Sequence, residues 1–267
     1  MIDIRFIFIS VLLIVTLNSC DSPEVEDQQQ NRELQKTEDV ELSTRVTPQK
    51  IVAESYTQHG CERINSASIS FDFRSTLFEY IHTDSGLVRS RSFIDSTGNK
   101  IKDVWSRNGL KRLINDSQIE LSTEKQSAYQ STINSVFYFA FLPKSLKDPA
   151  VNLEYLDTAI ISDQPYHKIR VTFDEEGGGE DHEDVFIYWF NIEDVTMDYL
   201  AYSYIENGGG MRFRSFTNRQ EIDGIVFQDY INFAPPEGAD LVNLDQLYEE
   251  GKLKQVSIIE LENIEVE

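Results

Sequence analysis

Cysteine is almost missing from this chain: of its 267 residues only two carry a thiol, Cys20 and Cys61. A disulfide-stapled framework is thereby excluded, because the segment after Cys20 holds no pair. Long apolar runs are missing too. The longest, Phe6 to Leu17, has about a dozen residues, short of the ~20 that a spanning helix needs. Basic residues are scarce, 24 Lys and Arg against 46 Asp and Glu, which leaves a net charge of −22. Such a balance argues against nucleic acid, whose phosphates need a basic footprint, and against docking on anionic headgroups through a basic patch. The chain has no G-x-S-x-G, H-E-x-x-H, P-loop or C-x-x-C. Its four histidines, His59, His82, His167 and His182, show no spacing that sets one beside a nucleophile. The β-α-β alternation of barrel enzymes is also missing.

What is present begins at the N-terminus. Arg5 precedes the short apolar run, and Leu17-Asn18-Ser19-Cys20 follows it. This is the pattern of a bacterial lipobox, in which cleavage before Cys20 leaves a thiol that takes a diacylglycerol. Residues 1–19 therefore read as a lipoprotein signal peptide and Cys20 as the lipidation site. An ordinary signal peptide with an incidental cysteine is the alternative. Two or three chains, at about 0.8 kcal/mol per buried methylene, anchor a protein firmly. The expected location is the cell envelope, lipid-anchored, at the outer membrane and either periplasmic or surface-exposed. Residues 20–46 form an acidic stretch with almost no large apolar side chain, which reads as a disordered tether. Cys61 is expected to be a small buried residue, not a reactive thiol.

Residues 47–267 read as one folded domain. Thr47 and Pro48 suit the start of a short helix and Gly60 its end. Beyond it Ser68-Ile69-Ser70-Phe71-Asp72-Phe73-Arg74 alternates strictly, the mark of a half-buried strand. Further period-two segments follow as hairpins, with Asn108-Gly109 the strongest turn signal. A helix over residues 123–142 interrupts them, with Tyr129, Ile133, Val136, Phe137, Ala140 and Phe141 at helical spacing. The second half is strand throughout. The expected fold class is α+β: a curved antiparallel β half-barrel of about eleven strands with two helices on the concave face.

Two clusters are candidates for chemistry. Residues 174–184 pack seven carboxylates and a histidine around three glycines between two strands. Oxygen-rich loops of this kind coordinate Ca²⁺, and Glu180, Asp181, His182 and Asp184 are the candidate ligands; a solvated acidic loop without any cofactor is the blander reading. The second cluster is aromatic. Tyr188 and Phe190 share one face of a strand while Trp189 takes the other, and Tyr202 and Tyr204 share a face of its neighbour. Apolar residues on both faces require that each face be covered, by protein or by ligand.

Several of these segments, among them Phe71-Asp72-Phe73-Arg74, the stretch from Asn134 to Pro143, Asp184 to Trp189 and Met197 to Tyr204, resemble a family of Bacteroidota lipoproteins without an established activity. The strand Tyr188-Trp189-Phe190-Asn191 with its turn and returning partner is similar to the central hairpin of the LolA/LolB lipoprotein-carrier superfamily. That resemblance implies a half-barrel whose hollow is plugged by helices and is able to hold acyl chains. The chain departs from the pattern at Cys61 and in an extra acidic tail after Pro235-Pro236. The first functional expectation is thus a membrane-anchored lipoprotein binding a lipid or other apolar ligand, with Phe71, Phe73, Phe137, Tyr188, Phe190, Tyr202 and Tyr204 lining the hollow. A structural or partner-binding lipoprotein with no ligand ranks second. An envelope hydrolase or metal-binding protein using the acidic loop ranks third, so the reading leans away from an enzyme.

Overall fold

Local sequence sets the first helix, α1 (Pro48–Gln58). The Thr47 hydroxyl accepts the Lys50 N–H at 3.2 Å, and Pro48 supplies a first residue whose missing N–H costs nothing there. The helix buries Ile51, Val52, Ser55 and Tyr56. It stops at Gly60, where φ is +65°. A side chain at this point would also collide with the Gly224 carbonyl oxygen, so only glycine fits. Alongside it the His59 carbonyl accepts the Val226 N–H at 3.0 Å.

The computed structural model describes residues 46–176, 183–204 and 209–267. The expected signal peptide, Cys20, the expected tether up to residue 45, and the candidate ligands Glu180, Asp181 and His182 lie outside the described residues. Six strands follow α1 as a meander: β1 (Ile69–Phe73), β2 (Thr76–Thr83), β3 (Gly86–Ile94), β4 (Lys100–Ser106), β5 (Gly109–Ile114) and β6 (Ser117–Ile119). A second meander holds β7 (Val151–Ile161), β8 (Gln164–Phe173), β9 (Val185–Asn191), β10 (Met197–Tyr204), β11 (Gly210–Ile222), β12 (Ile225–Ala234) and β13 (Lys254–Ile259). The last strand, β14 (Glu262–Val266), returns to pair antiparallel with β1. Each sheet has seven strands, in the order β14-β1-β2-β3-β4-β5-β6 and β13-β12-β11-β10-β9-β8-β7.

The described residues therefore form fourteen strands, where about eleven were expected. The short β6 lacks alternation, and the C-terminal segment holds two strands, β13 and β14, where its pattern reads as one. Between β13 and β14 only Glu260 and Leu261 intervene, and the chain crosses there from the edge of one sheet to the edge of the other. The crossing is held by the buried Leu261, whose N–H donates to Asp229 Oδ1 at 2.9 Å. At the far ends β6 and β7 each have one neighbour, so the sheets stay open.

Among the described residues there are three helices where two were expected. The long α2 (Thr123–Ala140), capped by Ser122, lies on the inner side, with Ile133, Phe137 and Ala140 buried. It packs with Phe71, Phe78 and Tyr80 of the first sheet. An ion cluster clamps its first half. The fully buried Asp103 accepts from Arg91 Nε at 2.8 Å and Arg112 Nε at 2.6 Å, and the Arg112 guanidinium stacks 3.7 Å over the Tyr129 ring. On the second sheet α1 and residues 142–146 cover the inner face with Ile51, Val52, Leu142 and Leu146.

The third helix, α3 (Leu244–Glu249), lies on the outer face instead. It belongs to the tail after Pro235-Pro236, which the sequence left without a place. Leu244, with Leu241, Leu247, Tyr248 and Leu253 around it, covers Trp189, Tyr199 and Phe213. Both faces of the aromatic strand β9 are thus covered by the protein itself. Residues 46–267 contain all three apolar clusters and form one compact unit. A unit with its own core folds without the segment before it.

Candidate functional site

A cleft of about 520 Å³ opens beside α2, where that helix faces both sheets. Tyr80 of β2, Arg89 of β3 and Trp105 of β4 form one wall. Val151 of β7, Phe173 of β8 and the stretch Lys144, Ser145, Asp148 and Ala150 form another. Helix α2 contributes Ser127, Gln130, Ser131 and Asn134, then Phe137, Tyr138 and, just past its end, Phe141. These positions recur at three- and four-residue spacing, so they share one helical face. The face is uncharged and polar toward its N-terminal end and aromatic toward its C-terminal end.

The charges of the cleft are arranged around its aromatic rings. The Arg89 guanidinium lies 4.5 Å from the centre of the Trp105 ring and 5.7 Å from that of Tyr80. Such stacking holds a cation over a ring face while leaving its N–H groups directed to the side. Lys144 is half-buried on the opposite wall. Burial pulls its ammonium below the ordinary lysine value, and the Arg89 charge pushes in the same direction. Neither cation has a carboxylate within ion-pair distance among the described residues. Asp148, exposed at the rim, turns its Oδ1 to the Ala150 N–H at 3.0 Å.

On the other side of α2 lies a smaller, mostly apolar cavity of about 120 Å³, with Phe73, Val136, Phe139, Tyr230, Ile259 and Leu261 in its walls. Arg214 reaches it while stacked 3.8 Å over Phe139, and donates to the Tyr202 hydroxyl at 3.0 Å.

The residues expected to line a hollow fall into three groups. Phe137 lines the cleft and Phe73 the smaller cavity. Phe71, Tyr188 and Phe190 are fully buried and packed against protein. Phe71 sits edge-on to Phe137 at 5.7 Å, and the Tyr188 hydroxyl is 2.8 Å from that of Tyr138. Burial drives the Tyr138 hydroxyl up to about 12 and raises Tyr188 well above the ordinary tyrosine value, so this pair stays neutral. Tyr202 stacks on Phe186 and supports Arg214, while Tyr204 meets Arg212 at the end of β10. Of the four candidate metal ligands only Asp184 is described, and it lies close enough to Tyr138 to act on its hydroxyl. Among the described residues no group of three or more His, Cys, Asp or Glu is placed to hold a metal. Cys61 is 1 % exposed and burial pushes its thiol up to about 12, the state of an inert packed residue.

Sequence reasoning missed Arg89, Trp105 and Lys144, which converge only through the curvature of the sheets. The polar face of α2 was open to discovery. In a chain with this charge, Ser127, Gln130, Ser131 and Asn134 make a helical stripe with no charged side chain, a composition that a solvent-facing stripe would not need.

Several solved structures are similar to this one in outline. A LolA superfamily protein from Nitrosomonas europaea aligns over 82 % of this chain and 93 % of its own, at 10 % identity and a TM-score of 0.43. A DUF1329 family protein from Desulfovibrio piger aligns over 82 % and 93 %, at 10 % identity and a TM-score of 0.40. The lipoprotein LppX of Mycobacterium tuberculosis aligns over 61 % and 91 %, at 10 % identity and a TM-score of 0.28. Among curated proteins none matches the chain in sequence. A family model does match, over residues 7–261, and by it the chain belongs to the family of unknown function DUF6503.

Proposed function

We propose that this chain is an envelope lipoprotein that holds an amphiphilic ligand in the cleft beside α2. One observation carries the reading: a cleft of about 520 Å³ brings aromatic rings, uncharged polar groups and cations together. Its size falls within the ~300–1,000 Å³ usual for small-molecule sites. The part-exposed Trp105 ring, backed by the buried Tyr80, Phe137 and Phe141, gives an apolar wall, while Gln130, Asn134, Arg89 and Lys144 offer donors. The mixed lining shifts the expected ligand from a purely apolar molecule to one with a polar end. Cys20 supplies the anchor, and residues 21–45 the reach between membrane and domain. An anchored protein cannot shuttle, so a receptor or holding role fits better than a carrier that leaves the membrane. No helix among the described residues is long and apolar enough to cross a membrane, which is compatible with anchoring by lipid.

The chain has two tryptophans, and they make the test direct. Trp189 is fully buried under the tail on the outer face, whereas Trp105 lines the cleft. Titrating oleate into residues 46–267 should shift the Trp105 emission saturably, and the shift should vanish in a Trp105→Phe variant. Unchanged emission through the whole titration contradicts the reading. That result would favour the structural alternative, for which there is also an observation: Ile133, Phe137, Ala140 and Phe141 already fill much of the inner space.

A further inference from the structure

Arg89 and Lys144 are two cations of a strongly acidic protein, with 24 basic against 46 acidic side chains. Acidic partners are plentiful, yet these two face one cleft and neither is in an ion pair among the described residues. Other arginines on the same sheet are engaged: Arg91 and Arg112 share Asp103. Two like charges brought together in a part-buried site repel, and an anion between them relieves that repulsion and the desolvation of Lys144. The aromatic rings lie next to the cations: Trp105 and Tyr80 stack under Arg89, and Phe137 and Phe141 continue the same lining.

We propose that the cleft selects amphiphiles with an anionic head, held between Arg89 and Lys144 with the apolar chain over Trp105, Phe137 and Phe141. The Arg89 fork and the Lys144 ammonium both donate, which suits a carboxylate or a phosphate oxygen. Ser131 and Asn134 face the same space and supply uncharged partners for the atoms next to the head. The net charge of −22 excludes a basic surface for docking on membranes, but not a pair of cations inside a cleft. Asp148 at the rim and Glu62 act on the Lys144 charge without reaching ion-pair distance, so an anionic head displaces only a weak carboxylate field there. This inference rests on the amphiphile reading above, and its test separates the two.

Residues 46–267 are titrated with oleate, lysophosphatidate, monoolein, dodecyltrimethylammonium and inorganic phosphate, with Trp105 emission and calorimetry as readouts. The expected order is oleate and lysophosphatidate tighter than monoolein by about tenfold or more, the yield of one charge-assisted hydrogen bond. The ammonium amphiphile and free phosphate should be weaker than either. Comparison of oleate with lysophosphatidate tells a fatty acid from a phospholipid head. Arg89→Gln and Lys144→Gln should each remove about tenfold from oleate and cost monoolein clearly less, so that the preference for the anionic head narrows, in variants whose circular dichroism matches the parent. Equal affinity for oleate, monoolein and the ammonium overturns head selection while leaving the amphiphile reading intact. Binding of none of them overturns both. Tight binding of phosphate alone would make the site one for a free anion, and overturns the tail contacts.

Discussion

His59 closes α1 with its ring 1 % exposed, its Nδ1 2.9 Å from the Ser55 carbonyl. Burial lowers its proton affinity below the ordinary histidine value of 6.5, and the nearby charges of Arg219 and Asp198 act in opposite directions. Burial lowers His167 as well, beside the Tyr155 hydroxyl at 3.2 Å. The sign follows from linkage: below 6.5 the unfolded chain binds these protons and the folded chain resists them. Their contribution is full above that value and is lost as the pH falls. Stability should drop as the pH falls below 6.5, by at most about 1.4 kcal/mol per pH unit for each buried histidine. Thermal melts of His59→Gln should show a shallower pH slope than the parent; an unchanged slope would remove His59 from the account. Residue-scale legibility was uneven. Thr47, Pro48 and Gly60 announced α1 because capping chemistry is local, and Cys61 read as inert because it had no partner. Arg89 and Trp105 were invisible because their meeting with Lys144 depends on how far the sheets curl.

At the scale of elements, the tail after Ala234 decides whether the second sheet is a stable surface. The sequence showed that β9 is apolar on both faces, and therefore covered twice; it did not show by what. The tail is the outer cover, and it docks through a buried charge. Lys168 Nζ donates to Asp245 Oδ2 at 3.0 Å, both groups almost fully buried, and Trp189 Nε1 donates to the same oxygen at 3.3 Å. Burying such a pair gives little net stability, but removing Asp245 leaves the buried Lys168 with the exposed Asp157 at 4.0 Å as its remaining carboxylate. Asp245→Ala should cost about 3–5 kcal/mol in thermal or urea unfolding. A Lys168→Met, Asp245→Leu double variant should recover most of that loss. If neither variant falls, the tail is held by apolar contacts alone; equal falls would show that the loss does not come from a stranded charge. The strands β6 and β14 escaped the sequence reading for a related reason: each is short, and its pairing partner rather than its own pattern makes it a strand.

For the whole molecule, two open meanders joined by the β13–β14 crossing make a surface that α2 fills incompletely. The α+β class, the antiparallel hairpins and the long helix were legible because alternation and helical spacing are properties of the chain itself. The space left over is a property of three layers at once, and no single segment records it. On the proposed reading, the protein purified from the envelope should carry a ligand in that space. The anchor has its own test: Cys20→Ser should release the protein from membranes into the soluble fraction, and continued membrane retention would argue against lipidation. The same variant allows the most direct test of the central claim, native mass spectrometry of the chain recovered without detergent from its own envelope compartment, beside a second variant in which Ser131→Trp fills the cleft. The account predicts a co-purifying mass in the lipid range on the first protein and its loss from the second, with both folded. A bare protein mass in the first, or the same ligand retained in the second, would contradict it.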